Sequence, residues 1–127
     1  MFGKKNKPTS IKYVVVKNGL PNFVSDAVAE VLVDKSNRTI TFVEGKKNGA
    51  TATLSIDKII RMETGTTIGA IPKAQVLQTM NIIYSSTSGE GNISLCETNN
   101  YGASSFNLLK TLIQTSLQTN APQHVEL

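Results

Sequence analysis

Residues Ala27–Ile60 read AVAEVLVDKSNRTITFVEGKKNGATATLSIDKII, and the period of their apolar residues decides the fold. Ala29, Val31 and Val33 alternate with Glu30, Leu32 and Asp34. Helical propensity competes over this short run, but the alternation and the turn chemistry of Asp34-Lys35-Ser36-Asn37 favour a strand and a hairpin. The return strand, Arg38–Glu44, sets Ile40 and Phe42 on one face against Thr39, Thr41 and Val43 on the other. Gly45-Lys46-Lys47-Asn48-Gly49 makes a second tight connection. Ala50–Ile56 then alternates Ala52, Leu54 and Ile56 against Thr51, Thr53 and Ser55. Asp57-Lys58 permits a corner before Ile59–Thr64, on which Ile60 and Met62 are expected to share a face.

Upstream, Ile11–Lys17 is rich in β-branched residues and stops at Asn18-Gly19-Leu20-Pro21, which closes a first strand. Downstream, Gly65–Gln78 carries Gly65, Gly69 and Pro72 and reads as a long loop. A helix over residues 70–80, built on Ala74, Val76, Leu77 and Met80, is the open alternative. Thr79–Ser85 and Asn92–Thr98 read as two more strands joined through residues 86–91, for a total of about seven. The period then changes. Phe106, Leu109, Ile113 and Leu117 fall at helical spacing, Leu108 and Leu112 widen the stripe, and Ser104 or Ser105 can cap the start. The expected fold is therefore mainly β: a bent antiparallel sheet or partly open barrel of about seven strands, capped by one C-terminal amphipathic helix. Residues 1–10 read as a basic arm, 11–118 as a single domain and 119–127 as a tail.

The chain has 127 residues, 39% apolar and 17% charged, which fits one folded core rather than two. Its net charge is +4, and Lys4, Lys5 and Lys7 in the arm supply most of the excess. A single cysteine, Cys96, cannot form an intramolecular disulfide, and no apolar run follows the first lysines. A cytoplasmic location is expected, with at most peripheral contact at the inner membrane face. His124 is the only histidine, so neither a Ser-His-Asp arrangement nor a histidine metal site is expected. Cys96, between Leu95 and Glu97, reads as packing rather than as a nucleophile. Asp57 reads as a corner residue bonded to nearby backbone. No catalytic residue, cofactor, metal or small-molecule substrate is expected.

The order of seven short strands and a terminal helix resembles the pleckstrin-homology fold. More locally, AEVLVDKSNRTITFVEG followed by ATATLSIDKIIRMETG is similar to the bacterial pleckstrin-homology-like family, in which a hairpin precedes a hydrophobic-x-x-Asp-x-Ile corner, here Leu54 to Ile59. The chain lacks the Trp usual in the terminal helix of eukaryotic members. Lys17-Asn18-Gly19-Leu20-Pro21 also departs from the Lys-x-Arg cluster of those that bind phosphoinositides. The resemblance thus implies a binding or scaffolding module that contacts a protein partner or itself. The alternative is weak contact with an anionic membrane or nucleic acid through Lys4, Lys5 and Lys7 of the basic arm, at about 1 kcal/mol per lysine near an anionic membrane. Lys46 and Lys47, at a hairpin tip, read first as solvated side chains and second as a further anion contact.

Overall fold

The structure is a computed structural model that describes residues 8–47, 49–68, 76–98 and 103–120. Seven strands form one antiparallel sheet: β1 (Thr9–Asn18), β2 (Ala27–Asp34), β3 (Thr39–Glu44), β4 (Thr51–Ser55), β5 (Ile59–Ile68), β6 (Val76–Ser86) and β7 (Gly89–Glu97). Their spatial order is β4-β3-β2-β1-β7-β6-β5. The sheet does not close into a barrel, and β4 and β5 are its edges. One helix, α1 (Ala103–Asn120), follows and packs against β1, β2, β6 and β7.

Alternation produces the core, as the sequence implies. Ala29, Val31 and Val33 of β2 are buried beside Ile40 and Phe42 of β3, to which the register ties them through Val31↔Phe42 and Val33↔Ile40. Val14, Val16, Leu54, Ile82, Ile93 and Leu95 complete the inner face. Phe106, Leu109 and Ile113 of α1 bury against it. Each such side chain contributes about 1.5–3 kcal/mol on leaving water. Leu112 and Leu117 are half-buried against the same core, whereas Leu108 faces out at 45% exposure and does not widen the stripe. Ser104 and Ser105 lie within the first turn of α1 rather than before it.

β1 occupies the middle of the sheet and bends to do so. Between Ile11 and Val14 its register with β2 shifts, so that Lys12 and Tyr13 together oppose Glu30, and Tyr13 has φ +64°. Such an extra residue kinks a strand and increases its twist. At the other end, Gly19 has φ +102°, and a Cβ there would lie 2.1 Å from the Asn92 carbonyl oxygen. Only glycine allows the chain to leave β1 so close to β7.

The structure departs from the sequence reading in four places. β1 starts at Thr9, so Thr9 and Ser10 belong to the sheet rather than to an arm. The segment read as a long loop is mostly a hairpin: Thr66↔Gln78, Thr67↔Leu77 and Ile68↔Val76 are paired. This also removes the helical alternative from residues 76–80, while residues 69–75 lie outside the described part. Glycine near β-branched residues gave a turn signal, but Gly65 sits within the strand and the pairing carries through it. Residues 86–91 are not a six-residue connection, because Ser86 pairs with Gly89 across a two-residue turn and Gly89 supplies the positive φ. Finally, a register shift between Ile59 and Arg61 turns Ile60 outward, so Ile59 and Met62 face the core instead of Ile60 and Met62.

Candidate functional site

The lysines proposed for anion contact are not gathered into one site. Lys4, Lys5 and Lys7 lie outside the described residues. Lys46 and Lys47 sit in the turn after β3, but Lys46 Nζ lies 3.8 Å from Glu44 Oε1. Glu44 is buried for a structural reason. Its Oε1 accepts the Ala50 N–H at 3.0 Å and its Oε2 accepts the Val24 N–H at 3.0 Å, so one carboxylate pins two loops. Those backbone donors, Ala50 first and Val24 second, hold the carboxyl below its ordinary range against the opposing effect of burial, with a smaller contribution from the Lys46 charge. Lys46 therefore stands over an acceptor already occupied by backbone.

Asp57 also differs from expectation. Its Oδ1 accepts a hydrogen bond from Arg38 Nε at 2.7 Å, which ties the corner after β4 to the turn before β3, rather than from nearby backbone. Arg38 extends on to the Ser116 carbonyl of α1 at 3.4 Å, joining the corner to the helix. By contrast, Asp34 does make the local turn its sequence suggests: Oδ1 accepts the Asn37 N–H at 3.1 Å and holds the carboxyl below its ordinary range.

Cys96 packs as expected, 5% exposed, but on the face of the sheet opposite α1. Val15, Cys96, Thr79 and Gly65 are register partners in a row across β1, β7, β6 and β5. Around them lies a hollow of about 470 Å³, lined also by Ile68, Leu77, Glu97 and Thr98, with Lys17 and Asp26 on its margin. Burial raises the Cys96 thiol above its ordinary 9.0, with Lys17 acting weakly against that shift. Lys17 Nζ and Asp26 Oδ1 form an ion pair at 2.6 Å, which raises the Lys17 pKa. A protonated thiol without a histidine or other base in contact is a poor nucleophile. No group of three or more metal-ligating side chains occurs among the described residues.

This hollow was not foreseen, because Leu77 fell in the segment read as a loop. The spacing of Leu77, Thr79 and Asn81 carries the strand signal that would have placed Leu77 beside Cys96.

The second exposed feature is the outer edge of β5. From Thr64 to Ile68 every residue is exposed and none is charged, and among the described residues β6 is the only strand paired with β5. Ile68 and Val76, which pair at the far end of this hairpin, are each 65% exposed. No helix of the described residues is long and apolar enough to cross a membrane. Compared with known proteins, the sequence matches no protein-family model and no curated protein.

Proposed function

We propose that the protein is a non-catalytic binding or scaffolding module whose working surface is the free edge of β5, where a strand from a second copy or from another protein adds to the sheet. The observation that carries this reading is the uncharged, exposed edge Thr64–Ile68. A strand edge offers unpaired N–H and C=O groups in a row, and proteins that avoid pairing there usually blunt it with lysine, proline or a bulge. Arg61 and Glu63 stand at the start of β5 and are engaged with each other at 2.8 Å, and the residues after them carry no such device. The open seven-stranded antiparallel sheet with its terminal helix suits a pleckstrin-homology-like scaffold, and the family resemblance points the same way. The cytoplasm is the compartment proposed for it.

The test is the light-scattering mass of the full chain after size exclusion at low and high salt, beside the Thr64→Lys/Thr66→Lys variant. Association that resists salt and is lost in the variant supports strand addition. A monomer that also captures no partner from its native lysate overturns it. Salt-sensitive binding to anionic vesicles or nucleic acid that disappears on removing residues 2–7 would instead favour the basic arm.

A further inference from the structure

We infer, resting on the reading of the β5 edge as the working surface, that its occupant is a second copy of this chain. The two β5 strands pair antiparallel about a two-fold axis at Met62, so that Arg61 of each copy lies opposite Glu63 of the other.

When an edge strand meets its own copy antiparallel, residues equidistant from the two-fold axis stand opposite each other and on the same face. Unlike charges opposite each other stabilise such a pair and like charges destabilise it, so charge selects the register. Arg61 and Glu63 lie on one face of β5 with Met62 between them, and their side chains are 53% and 55% exposed. An axis at Arg61 sets two guanidinium groups against each other, and an axis at Glu63 sets two carboxylates. An axis at Thr64 leaves Arg61 opposite Thr67 and Glu63 opposite Gly65, with no charge to meet either. Only the axis at Met62 gives each charge its opposite, and it does so twice by symmetry.

Within one copy the pair has no better use. The register partners of Arg61 and Glu63 on β6 are Ile83 and Asn81, which carry no charge. The two side chains turn to each other instead, Arg61 Nε donating to Glu63 Oε2 at 2.8 Å. That bond leaves the Arg61 Nη groups as donors and Glu63 Oε1 as an acceptor for the second copy. In the same register Thr64 lies beside Ile60 of the second copy, which is 47% exposed in the single chain, and the stretch from Thr66 runs on beside the corner at Lys58. Exposed ion pairs add little affinity by themselves; backbone hydrogen bonds hold the added strand and the charges fix where it sits.

The experiment measures self-association of the full chain by sedimentation equilibrium for the parent, Arg61→Glu, Glu63→Arg and the exchanged Arg61→Glu/Glu63→Arg. The parent should dimerise. Each single substitution sets like charges opposite each other on both sides of the axis and should weaken dimerisation about tenfold or more. The exchanged variant restores the opposition and should dimerise like the parent. Mixed in equal amounts, Arg61→Glu and Glu63→Arg should form a heterodimer tighter than either forms alone, because one copy then presents two acids where the other presents two bases. Both positions are exposed, so the unfolding temperatures of the separate variants should stay near that of the parent. Single variants that dimerise as tightly as the parent, or a mixture that associates no better than its components, overturn the inference, and so does a monomeric parent. Should that monomer capture another protein and lose it in Thr64→Lys/Thr66→Lys, strand addition at β5 survives with a different occupant; should it capture none, both fall.

Discussion

Glu44 shows how one side chain can organise a region that the sequence presents as a turn. It ends β3 on the inward phase of the alternation, where an apolar residue would be expected, and uses its two oxygens to hold Val24 and Ala50. Its carboxyl titrates below the ordinary 4.5, so its contribution to stability is present above that value and is lost as pH falls through the lower folded value. Glu44→Gln should therefore lower the urea midpoint at pH 7, because an amide offers one acceptor oxygen to two N–H donors. The deficit should shrink as pH falls through the folded value, below the ordinary 4.5, where the parent protein protonates as well. Urea titrations of both proteins at pH 7 and pH 3 check this; a deficit that does not change with pH would assign Glu44 a packing role only. No local pattern around Glu44 announces this clamp, since the donors come from a loop 20 residues away and from the following turn.

At the scale of elements, period-two alternation was sufficient wherever a strand has one dry face. β2, β3 and β4 follow it from residue to residue, and α1 follows its own period through Phe106, Leu109 and Ile113. It failed where pairing overrode local chemistry. On the β5 side, the far half of the β5–β6 hairpin contains glycine and is exposed at every residue from Thr64 to Ile68, so it carries no apolar alternation. At Ile60 a bulge, not visible in composition, exchanged the two faces. The helix separates the two situations cleanly. Leu109→Ala removes a fully buried side chain and should cost about 2–5 kcal/mol, while Leu108→Ala, on the exposed side of the same turn, should cost well under 1 kcal/mol. Denaturant unfolding of the two variants measures the contrast, and equal losses would mean that α1 packs in a different rotation. Of the candidate surfaces, the edge of β5 was not legible, because Gly65–Ile68 fell in the segment read as a loop, and the hollow around Cys96 became visible only once Leu77 was placed in β6.

For the molecule as a whole, strand order predicts a gradient of protection. β1 and β7 are central and paired on both sides, whereas β4 and β5 each have one neighbour. Amides of Val14, Val16 and Leu95 should exchange with solvent only on global unfolding, while those of Thr51–Ser55 and Thr64–Ile68 should exchange through smaller openings and orders of magnitude faster. Hydrogen exchange measured by residue tests this, and association through β5 would appear as selective slowing of Thr64–Ile68 with rising protein concentration. Exchange at Thr64–Ile68 as slow as in β1 at every concentration would contradict an open edge.

The central position of β1 also has a cost during synthesis. Val16 needs both Ala27 and Leu95 as register partners. The first emerges from the ribosome almost at once, but the second follows roughly 80 residues later, on the order of 4–16 s at ordinary translation rates. Throughout that interval the nascent chain holds a hairpin stack β1–β4 with Val14 and Val16 on a temporary outer strand, no helix over them, and a bare edge facing every neighbouring polysome product. The folded protein hides the β-branched run of β1 at the centre of the sheet; the growing chain must carry that strand in the open until β7 arrives.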